Sequence, residues 1–383
     1  MSRGQRPTRV IIDLDTLVSN YRAARDFIGD HLKYLAVVKA DAYGHGAVEC
    51  ARKLETESID WFGVALPEEG IELRKGGITT PILCLGSFWG GQETSIVDHR
   101  ITPAIFDLET ARSLNLLGEQ RNIVVDVHVK IDTGMRRLGV DFGEADIFAL
   151  ELRSFQNLRV SGMLTHFAAS DDPNETSFTA TQIQRFEKSV ADFRHAGHDP
   201  EYIDLANSSG AIMHPSARGN MVRLGGVLYG LLDDILPAGT ETPELRSMLS
   251  LRSNISYIRS VPAGESIGYG RSFVTERTSQ IALIPLGYAD GLPRSLSNCG
   301  SAIVGDQIVP IVGRVSMDWT AIDVTDIERV AVNDEVYLIG STQNCSIKPT
   351  DIATIANTIG YEITCGISDR VPRYFLGAIE HKS

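Results

Sequence analysis

Tyr202-Ile203-Asp204-Leu205-Ala206-Asn207-Ser208-Ser209-Gly210, followed by Met221-Val222-Arg223-Leu224-Gly225-Gly226, is the stretch whose reading separates the candidate folds. Each half is a short apolar run that ends in small, hydroxylated or glycine residues, the mark of a buried strand followed by an open loop. Working back toward the N-terminus, six more strand candidates appear: Tyr34 to Val38, Trp61 to Ala65, Pro81 to Leu85, Thr102 to Phe106, Val124 to Ile131 and Arg159 to Thr165. Helical patterns lie between them, such as Gln182 to Ala196, where Ile183, Phe186, Val190 and Phe193 recur at three- and four-residue spacing. Leu17, Tyr21, Ala24 and Ile28 behind an Asp15 cap read as another helix ahead of the first of these strands. Eight strands alternating with helices predict α/β architecture, either a closed TIM-like (β/α)8 barrel or an open doubly wound sheet. In a barrel, phosphate is commonly held by the loops after the seventh and eighth strands. That is where Asn207-Ser208-Ser209-Gly210 and Gly225-Gly226 fall, so the barrel is the expected fold.

Past Pro237-Ala238-Gly239-Thr240 the helical alternation stops. Strand runs punctuated by turn residues follow: Leu249 to Val261, Gln280 to Leu286, Ala302 to Val312, Trp319 to Val324 and Asp334 to Ile339, with one helical piece, Asp351 to Thr358. A mainly β second domain is expected over residues 241–383, after a barrel over 1–240 whose first 13 or so residues pair with it. A chain of 383 residues is longer than one core usually grows, which agrees with two domains.

Composition narrows the function classes. Hydrophobic residues at 43% and charged residues at 22% are those of an ordinary globular protein. With 36 Lys and Arg against 49 Asp and Glu, the net charge of −13 speaks against coating nucleic acid or an anionic membrane. Cys50, Cys84, Cys299, Cys345 and Cys365 are odd in number and widely spaced, so reduced thiols in a cytoplasmic protein are expected, with no metal site. The arginines of Met1 to Arg9 precede an apolar run that Asp13 and Asp15 break, and no apolar run approaches the roughly 18 residues of a membrane span. A small-molecule partner is left.

Several residues carry chemistry. Ala36-Val37-Val38-Lys39-Ala40-Asp41-Ala42-Tyr43-Gly44-His45-Gly46 sets one lysine at the end of an apolar run. Desolvation there disfavours the ammonium and frees the amine as nucleophile or base, whereas a plain reading has the stem pack and the charge reach solvent. Ser208, Gly225 and Gly226 offer a phosphate hydroxyl and backbone donors with little bulk, although an Asn-Ser-Ser-Gly segment is by itself an ordinary turn. Arg223, inside an apolar strand, needs an acceptor: either a structural salt bridge or a pyridine nitrogen, which a donor-only guanidinium would keep unprotonated. His166 follows the sixth strand, and either Arg136 or Arg137, just past the fifth, suits a phenolate or carboxylate. Lys130, within the fifth strand, snorkels or is modified or paired inside the barrel. Tyr269 between Gly268 and Gly270, and Tyr288 after Gly287, are either hairpin tyrosines or exposed functional rings.

The set as a whole resembles the alanine racemase family, pyridoxal-phosphate enzymes of fold type III. The resemblance runs along nearly the whole chain, through Ala36 to Gly46, Lys130 to Leu138, Thr165 to Ala168, Asn207-Ser208, Val222 to Gly230, Ile267 to Phe273, Ile284 to Gly291, Val312 to Asp318 and Arg370 to Arg373. It implies pyridoxal 5'-phosphate bonded to Lys39, with Tyr43, Ser208, Gly225 and Gly226 on the phosphate and Arg223 facing the ring nitrogen. Lys39 and Tyr269, the latter from a second subunit, would be the two bases that racemisation requires, because one base acting on one face regenerates the starting enantiomer. His166 and Arg223 would tune Tyr269, and Arg137, oriented by a carbamylated Lys130, would meet the cofactor phenolate and the substrate carboxylate. Met317 would reach that carboxylate from the partner, making the active form a homodimer that supplies D-alanine for peptidoglycan. Tyr288 and Asp369 would stand at the entrance. Asp369 replaces a tyrosine that in many relatives meets the phosphate, and a shorter side chain there would admit serine or another small amino acid. A fold-related decarboxylase and a non-catalytic cofactor-binding protein are the competing readings, and Tyr269 and the β domain count against them.

Overall fold

The computed structural model describes residues 6–379 apart from Ser87. Strand β1 (Arg9–Asp13) leads into a helix, Leu14–Ile28, and eight strands follow in an all-parallel set. They are β2 (Lys33–Val37), β3 (Trp61–Val64), β4 (Ile82–Cys84), β5 (Ile101–Ile105), β6 (Val125–Asp132), β7 (Leu158–Leu164), β8 (Tyr202–Asp204) and β9 (Met221–Leu224). Each pairs with the next, and β9 pairs back on β2 with Leu224 opposite Ala36, so the ring closes. The expected (β/α)8 barrel is present, and the open doubly wound sheet, which would leave two edges, is not.

The period of two along each strand explains why these runs are apolar throughout. Leu35 and Val37 point into the barrel with Trp61, Leu83 and Met221, while Tyr34, Ala36 and Val38 pack outward in the larger core. Both faces are covered, so neither tolerates polar residues without a partner. The first helix is capped by Asp13 rather than Asp15: the Asp13 side chain accepts from the N–H groups of Asp15 and Thr16 at 3.0 and 3.1 Å. Asp13 has the extended backbone that an N-cap needs, whereas Asp15 already lies inside the first turn. The helix expected over Gln182 to Ala196 begins earlier and spans Thr176–His195.

In the C-terminal part, the single strand expected over Leu249 to Val261 is two, β10 (Leu249–Asn254) and β11 (Tyr257–Val261), in different sheets. Between them the chain changes partner: Ile255 N–H bonds Asp334 O, and Ser256 N–H bonds Leu283 O. Ala302 to Val312 is likewise a hairpin, Ser301–Val304 against Gln307–Pro310, turned by Gly305 and Asp306 at φ 54° and 64°. Positive φ at both central residues is the turn that suits the twist of paired strands, and Gly-Asp was its sequence signal. Strand β1 lies antiparallel to β10 and parallel to Arg373–Leu376, so the N-terminal segment is part of the C-terminal sheet. Met1 to Gln5 lie outside the described residues.

Candidate active site

Lys39 stands just past β2, at the start of a six-residue turn, Lys39–Gly44. Ala40, Asp41, Ala42 and Tyr43 have φ between 51° and 56°, a full left-handed turn without a glycine. Such residues cost about 1–2 kcal/mol each, so the surroundings must impose the conformation. They do so at both ends. Glu69 accepts the Ala40 N–H at 2.7 Å and, on its other oxygen, those of Ala65 and Leu66. Asp41 accepts the Ala47 N–H at 2.7 Å, and Arg373 donates to Gly44 O at 3.0 Å. Gly44 lies so close to the Thr364 carbonyl that a Cβ there would be 2.2 Å from its oxygen. The turn thereby sets Lys39 in the wall of a cavity.

That cavity, of about 390 Å³, opens at the carboxyl ends of the barrel strands. One side is a cradle. Ser208 begins the helix Ser208–Met213, capped by Asn207, and its Oγ accepts the Gly225 N–H at 2.9 Å. A Cβ at Gly225 would lie 2.8 Å from the Tyr43 hydroxyl, and one at Gly226 would lie 2.3 Å from that of Tyr361. Two glycines thus face two phenols whose hydroxyls make no hydrogen bond among the described residues. Unspent hydroxyl donors, a backbone free of side chains and a size within the range of small-ligand sites fit a phosphorylated cofactor.

Basic side chains gather on the rest of the wall, which also carries Asp171 and Asp234. Lys39, Lys130, Arg137, Arg223 and His166 all line it. Arg223 is buried, donates to Thr165 O at 2.8 Å and approaches His166 Nδ1 at 3.4 Å. Of the two arginines after β6, Arg136 turns away to pair with Asp141, and Arg137 faces the cavity. Burial, reinforced by Arg137, lowers the pKa of Lys39. Burial and the facing Arg223 pull Lys130 down to about 8, and the same two causes hold His166 well below its ordinary value. Lys130 donates to Leu85 O at 3.0 Å. The arrangement can bind a dianion at the cradle and sets beside it two lysines that give up their protons more readily than free ones.

Four expected residues are elsewhere in this chain. Tyr269 is 73% exposed and lines a separate hollow with Arg314 and Trp319, while Met317 and Tyr288 are also exposed. Asp369 is exposed and off the cavity wall, so it does not stand beside the cradle as expected. Tyr361, on the short helix Gly360–Cys365, lines the cavity beside the cradle. Tyr361, Glu69 and Asp204 were not singled out by sequence reasoning. Tyr361 sits in a helical segment with no local signal, and it meets Tyr43 at a ring separation of 5.3 Å only because the chain returns to the barrel mouth.

The family model for the alanine racemase N-terminal domain matches residues 12–233, and that for the C-terminal domain matches residues 248–375. An alanine racemase of Geobacter sulfurreducens is 43% identical over 384 residues, covering 98% of this chain and 99% of its own. One of Halothermothrix orenii is 41% identical, covering 98% of each. Among solved structures, alanine racemase of Clostridium difficile superposes with a TM-score of 0.91 at 35% identity, over 97% of this chain and 96% of that one. That of Bartonella henselae, solved with covalently bound pyridoxal phosphate, has a TM-score of 0.86 at 30% identity, over 97% of this chain and all (100%) of its own.

Proposed function

The chain belongs to the alanine racemase family, and we propose from this that it interconverts L- and D-alanine with pyridoxal 5'-phosphate held in the barrel cavity. The observation that carries the reading is the pairing of a desolvated amine, Lys39, with an unspent donor cradle across the same 390 Å³ cavity. Ser208, Tyr43, Tyr361 and the Gly225 and Gly226 backbone would hold the phosphate, Lys39 the aldehyde carbon, and Arg223 the ring nitrogen. The bound cofactor supplies an electron-withdrawing ring that stabilises negative charge at the amino acid's α-carbon.

The protein's own residues then hold and move protons. Lys39, whose pKa burial and Arg137 lower, takes or returns a proton on one face of the α-carbon. Tyr269 of the partner subunit serves the opposite face. Its exposure here, away from Lys39 of its own chain, supports a role across a homodimer. Met317 of the partner subunit meets the substrate carboxylate, and Tyr288 of the partner subunit narrows the entrance. Arg137 holds the substrate carboxylate and the cofactor phenolate. Arg223 and His166, 3.4 Å apart, tune the tyrosine. Lys130 carries a carbamate, formed when its amine adds to carbon dioxide and releases a proton. The lowered pKa and the facing arginines support that anion. The D-alanine formed would serve peptidoglycan synthesis in the cytoplasm.

Racemisation of L-alanine with added cofactor, and recovery of a borohydride-fixed cofactor on Lys39, are the expected results. Mixing Lys39→Ala with Tyr269→Phe chains tests the shared site. Half the dimers would be mixed, each with one intact site, restoring about a quarter of wild-type activity. No recovery on mixing would refute the assignment of Tyr269 to the partner.

A further inference from the structure

We propose that Asp204, one level below the cavity inside the barrel, is a positioning residue whose carboxylate fixes Arg223 against the cavity wall and offsets the charge of that guanidinium. Tyr202 and Asp204 are two apart on β8 and share the inner face. Tyr202 meets Trp61 and His128 on the barrel floor, and Asp204 stands nearer the mouth. Its side chain is fully buried and forms an ion pair with Arg223, itself buried. No other donor reaches that carboxylate among the described residues.

The remaining donors of Arg223 go to carbonyls of Thr165, Asp204 and Leu205 and toward His166. Carbonyls orient a guanidinium but do not cancel its charge. Lys39 after β2, Lys130 on β6, Arg137 after β6 and His166 after β7 all face the same space, and Arg223 lowers the pKa of both lysines. Asp204 is the sole carboxylate paired with any of these five groups among the described residues, Glu69 being spent on backbone N–H groups. Burial pushes the Asp204 carboxyl up to about 6 against the pull of Arg223, so the pair is ionised at neutral pH and loses its anion under mild acid. Keeping a carboxylate charged there is no gain for folding, which points to the cavity as its purpose.

For its effect on the amine the inference rests on the reading of Lys39 given above; the ion pair itself does not. In Asp204→Asn, the pH midpoint for uptake of pyridoxal phosphate, followed by absorbance, should fall by about 0.5–1 unit. That is the order of effect expected for removing one buried charge that acts on Lys39 through its pairing with Arg223. A midpoint within 0.2 unit, roughly the scatter of such titrations, overturns the proposal. A second measurement needs no cofactor: the urea midpoints of wild type, Asp204→Asn, Arg223→Gln and the double variant. Coupling predicts that Arg223→Gln restores stability to Asp204→Asn, even where the single variant is largely unfolded, because both charges are then gone. Strict additivity overturns it. If the wild-type chain takes up no cofactor, the functional reading fails while the urea cycle still decides the pair.

Discussion

The mouth and the floor of the barrel interior both bury ionisable groups, yet only one of them is built for chemistry. At the mouth, Lys39, Lys130 and Arg223 border a cavity whose opposite side carries unspent hydroxyl donors. At the floor, His128 is fully buried, its two ring nitrogens without a hydrogen-bond partner among the described residues, stacked on Tyr202 and packed on Trp61. Gly162 makes room for it, since a Cβ there would lie 2.5 Å from the imidazole. Burial drives the His128 pKa down to about 3, yet His128 is not part of the cavity wall. A perturbed pKa is therefore no mark of function unless open space and free donors accompany it.

The sharpest test of that contrast is Lys39→Ala, expected to lower racemisation by at least about 10³-fold, with the urea midpoint almost unchanged because a desolvated amine adds little to folding. Gly225→Val comes next. Its side chain would press on the Tyr43 hydroxyl, and loss of one or two charge-assisted hydrogen bonds should weaken cofactor binding by about 10–100-fold in a fluorescence titration. Normal affinity in that variant would mean that the phosphate lies elsewhere.

For His128 at the floor and His45 just past the Lys39 turn, the sign of the pH effect follows from the lowered values. His128 at about 3 and His45 at about 4 stay neutral when folded, whereas unfolded histidine protonates near 6.5. The unfolded chain therefore binds more protons between those values, so stability is lost as pH falls below about 6.5, by about 1.4 kcal/mol per histidine at pH 5.5. His128→Leu should remove its own share of that loss, about 1.4 kcal/mol at pH 5.5, in pH-dependent urea melts while leaving racemisation at pH 8 intact. Lost activity there would erase the distinction between floor and mouth. The smallest expected effect is Ala40→Gly, which relieves left-handed strain for about 0.5–1 kcal/mol of added stability after the cost of a freer unfolded chain. A destabilised Ala40→Gly chain would show that the turn is unstrained.

How much was legible in the residues follows from range. Val127-His128-Val129-Lys130 announces its two faces locally, so Lys130 was readable as an inward residue. The Gly305-Asp306 turn was equally local and was passed over because the run around it is apolar. Tyr361 and Asp204 had no comparable signal. The first meets Tyr43 from more than 300 positions away, and the second became notable only when its partner on β9 was seen at contact.

By itself the sequence determined the alternation of strand and helix, the lysine ending β2 and the glycines ending β9, because burial on two faces and loop sterics are written in neighbouring residues. Tertiary structure alone decided the left-handed turn held by Glu69 and Arg373, the second phenol of the cradle, and the carboxylate under Arg223. Those depend on which distant groups a closed ring of strands brings within hydrogen-bonding distance, and closure is a property of the whole ring rather than of any one strand.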